Sequence, residues 1–346
     1  MKIVSIVGAR PQFVKAAVVS RAIAGRPTLN EVLVHTGQHF DANMSDIFFE
    51  ELGIPEPAYN LGIQSSCHGA MTGRMLEHIE AVLQREQPQV LLVYGDTNST
   101  IAGALAAAKL NIPIAHVEAG LRSFNRRMPE EINRVLTDHV SALLLCPSDQ
   151  AVHNLAAEGI TEGVHQVGDV MFDATLHARE VAAIQSNVRA RLGLEGKPYA
   201  VATVHRAENT DSPEALATVL DYLKAAARTV PVVLPIHPRT KAAAARHGLD
   251  FDGLTICEPL SYIDMTWLLA GAEIVFTDSG GLQKEAYFHR KPCVTLRDET
   301  EWVETVHAGW NRLWRVSEDY LPRRDIDEYG QGDASERIVN LIENFD

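Results

Sequence analysis

The segment Asp278-Ser279-Gly280-Gly281-Leu282-Gln283-Lys284-Glu285 combines residue types that suit diphosphate binding. A strand-like run, Glu273 to Thr277, leads into it, and a helical pattern leaves it. A strand that ends in Ser-Gly-Gly where a helix opens leaves backbone N–H groups free, and the helix dipole favours an anion there. Gly280 and Gly281 have no Cβ, so a bulky anion can approach the backbone closely. Glu285 lies one turn further on, where a carboxylate reaches a pair of ribose hydroxyls. The plainer reading is an ordinary strand-to-helix turn.

A second group of residues suits acid–base chemistry. Asp96 follows the apolar run Pro88 to Tyr94, Glu118 follows Ile112 to Val117, and Glu131 sits in the helix that opens at Pro129. In a doubly wound sheet such points converge on one crevice. Three carboxylates gathered there would raise at least one pKa by mutual repulsion, as general acids and bases near neutral pH require. Asp96 as a helix N-cap and Glu131 as a first-turn charge are the structural alternatives. His205 is the most telling of the 14 histidines, because it ends the strand-like run from Pro198 and precedes Arg206, Glu208 and Asn209. A lone histidine is more often structural, but a strand-end position in a polar cluster favours function. His237 and Arg297 end two further strand-like runs. Arg10 and Lys15 follow the first strand, as ligand cations or as solvated surface charge.

The elements that must position these groups alternate regularly. Lys2 to Val7, Glu31 to His35, Pro88 to Tyr94, Ile112 to Val117 and Leu143 to Cys146 read as strands, separated by helical patterns. The rhythm resumes with strands at Pro198 to Val204, Val230 to Ile236, Leu254 to Cys257, Ile274 to Thr277 and Cys293 to Leu296. Helices are expected over Asn43 to Leu52, 70 to 86, Ile101 to Leu110 and Asp173 to about Arg191. This alternation predicts two α/β domains with parallel sheets, although no internal sequence repeat is visible. The first turn, Gly8-Ala9-Arg10-Pro11-Gln12, lacks a full G-x-G-x-x-G, so a nicotinamide cofactor is not supported.

Composition narrows the function further. A chain of 346 residues exceeds one typical core. A formal net charge of −14 disfavours a nucleic-acid partner. Cys67, Cys146, Cys257 and Cys293 are scattered without a C-x-x-C pair, which fits a reducing cytosol better than a zinc knuckle or a disulfide framework. The opening residues read as a strand rather than a signal peptide, and no apolar run reaches membrane-spanning length.

In order along the chain, Gly8-Ala9-Arg10-Pro11, Thr36-Gly37-Gln38-His39, Gly95-Asp96-Thr97, His116-Val117-Glu118-Ala119-Gly120-Leu121-Arg122, Pro129-Glu130-Glu131-Ile132-Asn133-Arg134, Thr203-Val204-His205-Arg206-Ala207-Glu208-Asn209 and Thr277-Asp278-Ser279-Gly280-Gly281 resemble the non-hydrolysing UDP-N-acetylglucosamine 2-epimerases. The resemblance implies the GT-B arrangement, α/β with two Rossmann-like domains facing a deep cleft. The expected divisions are 1–167 for the N-terminal domain and 168–333 for a UDP-binding C-terminal domain, with a helix at 334–346 packing back on the first. It implies Ser279, Gly280 and Gly281 at the diphosphate and Glu285 at the ribose. Arg10, Lys15, His39, Arg206, His237 and Arg297 are implied as further substrate-binding positions, and Asp96, Glu118, Glu131 and His205 as acid–base residues. It also implies an isomerase without cofactor or metal, a homodimer, and a place in cytoplasmic polysaccharide or O-antigen biosynthesis. The implied chemistry is loss of UDP from C1 with a proton from C2, giving a glycal, then re-addition with protonation from the other face. Which carboxylate takes the proton and which group returns one stays open.

Two departures bear on substrate. Many relatives read T-E-R-P-E where this chain reads Thr300-Glu301-Trp302-Val303-Glu304, and His39 continues as Phe40-Asp41-Ala42-Asn43-Met44-Ser45. Both features resemble the branch acting on UDP-2,3-diacetamido-2,3-dideoxyglucuronate, slightly ahead of plain UDP-GlcNAc. A uronate needs a cation near C6, with Arg122, Arg126 or Arg127 as candidates. The rival functions are a GT-B glycosyltransferase, which would need an acceptor, a hydrolysing 2-epimerase, which would release UDP, and a sugar-nucleotide sensor, which would bind without turnover.

Overall fold

A computed structural model describes residues 1–38, 51–64, 67–316 and 319–345. The expected helix over Asn43 to Leu52 and the site candidate His39 lie largely or wholly outside them. The chain divides into two compact units, Met1–Ala174 with Asp327–Asp346, and Thr175–Ile326.

The first unit is built on seven parallel strands: β1 Lys2–Val7, β2 Asn30–His35, β3 Tyr59–Asn60, β4 Val90–Tyr94, β5 Ile114–Val117, β6 Leu143–Cys146 and β7 Val164–Gln166, in the order β3-β2-β1-β4-β5-β6-β7. β4, β5 and β6 are buried at every residue, as runs of Val, Leu and Ile covered on both faces must be. Each such side chain contributes about 1.5–3 kcal/mol by leaving water. The helix Asn98–Lys109 is rich in Ala and Gly, and its Gly103 lies against Ile6 and Val93, so it packs unusually close to the sheet. The strand order reverses between β1 and β4, the switch point where such sheets bind ligands.

The second unit carries β8 Ala200–Thr203, β9 Val232–Pro235, β10 Thr255–Cys257, β11 Ile274–Thr277, β12 Cys293–Thr295 and β13 Asn311–Leu313. Their order is β10-β9-β8-β11-β12-β13, again all parallel, with the reversal between β8 and β11. The hydroxyls of Thr203 and Thr277 meet at 2.6 Å across that reversal. The short strands β3 and β13 escape a sequence reading, because two or three residues carry no period. The expected helix from Asp173 to about Arg191 is two, Val170–Gln185 and Val188–Arg191, interrupted at Ser186–Asn187.

The N-terminal unit runs to Ala174 and takes the chain back from Asp327. Asp169 donates its amide to Tyr329 O at 3.0 Å. The Asp173 carboxylate accepts from the amides of Ala334 and Ser335, at 3.2 and 2.8 Å, and so caps the helix Ala334–Glu343. That helix buries Ile338, Val339 and Ile342, and Arg26 pairs with its Glu336. No described helix is long and apolar enough to cross a membrane.

Candidate active site

At the β1–β4 reversal the backbone is fixed by Gln12, which is 1% exposed. Its Oε1 accepts from the amides of Gly8 and Ala9 at 2.8 and 3.0 Å, and its Nε2 donates to Tyr94 O and Thr100 Oγ1. The two amides that lead into the helix Arg10–Ala24 are therefore already partnered. Arg10 opens that helix and is exposed, whereas Lys15 is buried and pairs with Glu118. Glu118 has φ +71, an uncommon conformation for a residue with a Cβ, which costs about 1–3 kcal/mol and marks functional sites.

Asp96 is one-third exposed and pairs with Arg134 Nη2, while Arg134 Nη1 contacts Glu131 at 3.0 Å. Glu131 is 3% exposed and accepts from Ser123 N, Ser123 Oγ and Phe124 N at 2.9, 3.0 and 2.9 Å. Burial pushes the Glu131 carboxyl up, but these donors and Arg134 outweigh it and hold it below the ordinary value. The expected repulsion among three carboxylates is therefore replaced by pairing: Lys15 serves Glu118, and Arg134 serves both Asp96 and Glu131.

Arg122 is already engaged within the protein. Its side chain is 1% exposed and is consumed by Glu158 at 2.7 and 2.8 Å, Asp138 at 2.6 Å and its neighbour's carbonyl, Leu121 O. It cannot meet a sugar carboxylate without breaking that network. Arg126 and Arg127 are exposed. The same network holds His116, fully buried, between Asp138 Oδ1 and Gly95 O, each at 2.7 Å. Burial pushes the Asp138 carboxyl up, yet His116 and Arg122 bring it below its ordinary value. Asp138 shows no sequence signal, because it is far from its partners along the chain and sits in the last turn of the helix Pro129–Val140.

At the β8–β11 reversal the central group is Asp278, fully buried. It accepts from the amides of His205 (2.9 Å) and Arg206 (2.9 Å) and from Asn209 Nδ2 (3.0 Å), and lies 3.1 Å from His205 Nδ1. Burial raises its carboxyl, but the His205 contact and the other donors leave it lowered. The His237 ring lies 5.5 Å from that of His205, and its Nδ1 accepts from Arg239 N. Burial, then the neighbouring His205 and Arg239, lower its pKa. The helix Gly280–Phe288 begins at Ser279, whose side chain makes no cap. Apart from its chain neighbours and its own helix backbone, nothing described lies within 4 Å of where a Cβ on Gly281 would stand, while one on Gly280 would strike Glu301. Glu285 is half-buried further along the same helix. Arg297 pairs with Glu301 at 2.8 Å and Glu208 at 3.6 Å. Trp302, in place of the expected arginine, lies under the Lys284 ammonium at 4.1 Å, so a buried cation remains beside this turn. The structure thus gathers His205, Arg206, His237, Ser279, Gly280 and Gly281 around Asp278 in one unit. Asp96, Glu118, Glu131 and Lys15 gather in the other.

Comparison with known proteins places the chain in a family. The family model described as UDP-N-acetylglucosamine 2-epimerase matches residues 21–343. The UDP-2,3-diacetamido-2,3-dideoxy-D-glucuronate 2-epimerase of Pseudomonas aeruginosa is 51% identical, with 99% of each chain covered. The UDP-N-acetylglucosamine 2-epimerase of Methanocaldococcus jannaschii is 43% identical over 99% of each chain. A crystal structure of the M. jannaschii UDP-GlcNAc 2-epimerase, in complex with UDP-GlcNAc and UDP, superposes with TM-score 0.84, at 41% identity and complete coverage of both chains. With two parallel α/β units and these matches along nearly its whole length, the chain belongs to the UDP-N-acetylglucosamine 2-epimerase family.

Proposed function

We propose that this chain epimerises a UDP-2-acetamido sugar at C2 without hydrolysis, by eliminating UDP to a glycal and adding it back. The carrying observation is the uncapped helix start at Ser279–Gly281, open at Gly281 and flanked by a histidine held on a buried carboxylate. Breaking the C1–O bond places negative charge on the departing diphosphate. Free amides at a helix N-terminus and the His205 ring stabilise such charge best when fixed beforehand. Glu285 takes the ribose.

The C2 proton is not acidic, because no carbonyl adjoins it, so its removal accompanies or follows departure of UDP, when positive charge develops at C1. Asp96 is assigned as the base, being the most exposed of the three carboxylates, with Arg134 holding its orientation. Glu118, paired with Lys15, is the second acid–base group. Glu131 is reassigned as a positioning residue that fixes Arg134 and the loop at Ser123–Phe124.

The favoured substrate is the 2,3-diacetamido uronate, supported by 51% identity to the relative named for it, against 48% and 43% to relatives named as a UDP-N-acetylglucosamine 2-epimerase homolog and a UDP-N-acetylglucosamine 2-epimerase. Arg126 or Arg127 then serves the C6 carboxylate. A second copy of the chain is the proposed partner, on the apolar face left exposed by Phe124, Met128, Ile132, Leu136 and Val140. The reaction is assigned to the cytosol, where the unpaired cysteines stay reduced.

Proton NMR in heavy water tests the reading with UDP-GlcNAc and with the 3-acetamido uronate. Deuterium at C2 of a UDP-linked manno epimer is the expected result, and the sugar that exchanges identifies the branch. Absence of exchange with both sugars refutes the epimerase assignment.

A further inference from the structure

At the amino end of β2, the first unit holds a cavity of about 270 Å³ whose lining includes Ser20, Ile23, Glu31, Leu33 and Glu56. Both charged residues in that lining are acidic. The Glu31 carboxylate accepts a hydrogen bond from Ser5 Oγ. Ser20 is 1% exposed, and its hydroxyl makes no hydrogen bond of ordinary geometry although it lies near Glu31. The hydroxyl of Tyr94, fully buried and outside that lining, lies near Ser5 and Glu31 in the same oxygen cluster. Burial pushes the Glu31 carboxyl up, and burial followed by the charge of Glu31 pushes the Tyr94 phenol up.

Buried polar groups without partners are costly, and each such group in a folded protein calls for an explanation. A cation with several N–H donors supplies one. A bare divalent ion prefers an all-oxygen shell of six or more ligands, which the Ile23 and Leu33 walls do not offer. An ammonium head has three donors, and a short hydrocarbon stem matches the apolar walls. We propose that this cavity binds a small primary alkylammonium ion, its nitrogen on Glu31 and Ser20 and its stem along Ile23 and Leu33. A short diamine fits best, because its second nitrogen meets Glu56. The site uses neither the diphosphate turn nor the acid–base residues, so it stands apart from the proposed reaction.

Titration calorimetry of the full chain with 1,4-diaminobutane, in mildly alkaline buffer at fixed ionic strength, tests this. Saturable binding is expected for the diamine and none for 1,4-butanediol. Glu31→Gln should weaken the diamine by at least about tenfold, the scale of a lost charge-assisted hydrogen bond. Ala58→Leu keeps the carboxylate but fills the cavity, and it too should abolish binding, which decides the matter if Glu31→Gln does not fold. No saturable binding to the native chain, unchanged affinity in a folded variant, or an equal response to sodium chloride overturns the proposal.

Discussion

The two strand-to-helix turns at the switch points use similar residues to opposite ends. At the first, Gly8 is required because Thr36 and Ser99 stand where a Cβ would go, at 2.1 and 2.2 Å from its ideal position. Gln12 then caps the Gly8 and Ala9 amides. At the second, Gly281 faces open space and Ser279 caps nothing. Gln283, buried near the start of that helix, turns its carbonyl to Thr300 and Asn311 instead. The first turn is closed by the protein's own side chains; at the second, Thr277 Oγ1 takes the Ser279 amide and Glu301 fills the space beside Gly280, and the face at Gly281 alone stays open. A glycine in such a turn therefore identifies a binding site only once the occupant of its missing Cβ is known.

The comparison breaks most severely at Asp278. Asp278→Asn leaves the His205 and Arg206 amides and Asn209 Nδ2 competing for one carbonyl oxygen, and it removes the charge facing His205 Nδ1. C2 exchange should fall about ten-thousandfold, the order found when a buried carboxylate that orients a histidine is neutralised. An unaltered exchange rate in the folded variant would reduce Asp278 to a structural role.

Gln12→Ala tests the closed turn. It orphans two buried amides and should destabilise the first unit by about 2–4 kcal/mol. Denaturant unfolding measures the loss. UDP titration of the same variant should show no added anion site, because Thr36 and Ser99 still cover Gly8. New UDP binding there would mean that Gln12 alone separates the two turns.

Much of this architecture is legible in the sequence, because runs such as Val90–Tyr94 and Leu143–Cys146 admit no other reading and strand ends can be located from them. His205, Ser279 and Gly281 follow from that placement. The roles of paired side chains do not. Arg122 looks like a ligand cation until Asp138 and Glu158 are found around it, and neither is near it in sequence. The hydrogen bonds that Ser123 and Phe124 donate to Glu131 are likewise invisible in the sequence pattern. Position along a strand is a local property, whereas partnership is a tertiary one.

Ser279→Asp would give the second turn the self-capping of the first. An aspartate N-cap accepts from the third helical amide and stabilises a helix by about 1 kcal/mol relative to an uncapped start. The same carboxylate repels a diphosphate. UDP affinity should drop about tenfold or more, equivalent to at least about 1.4 kcal/mol, while the melting temperature holds or rises. Loss of affinity together with loss of stability would point to misfolding rather than to competition for the open amides.

The smallest expected difference is one of pH. Gln12 does not titrate, so the first turn holds at any moderate acidity. Asp278 does titrate, and its folded pKa lies below the unfolded value of about 3.9. A depressed carboxyl contributes stability that is fully present above the unfolded value and is lost as pH falls through the folded one. The wild-type chain should therefore lose its advantage over Asp278→Asn as pH drops below about 4, while its advantage over Gln12→Ala stays constant. Denaturant unfolding of all three proteins between neutral and acid pH measures both differences. The other carboxylates held below their ordinary values, Glu131 and Asp138 among them, titrate equally in each protein and cancel. A wild-type advantage over Asp278→Asn that does not change with pH would mean that the second turn is held by backbone geometry, and that the charge at Asp278 serves His205 alone.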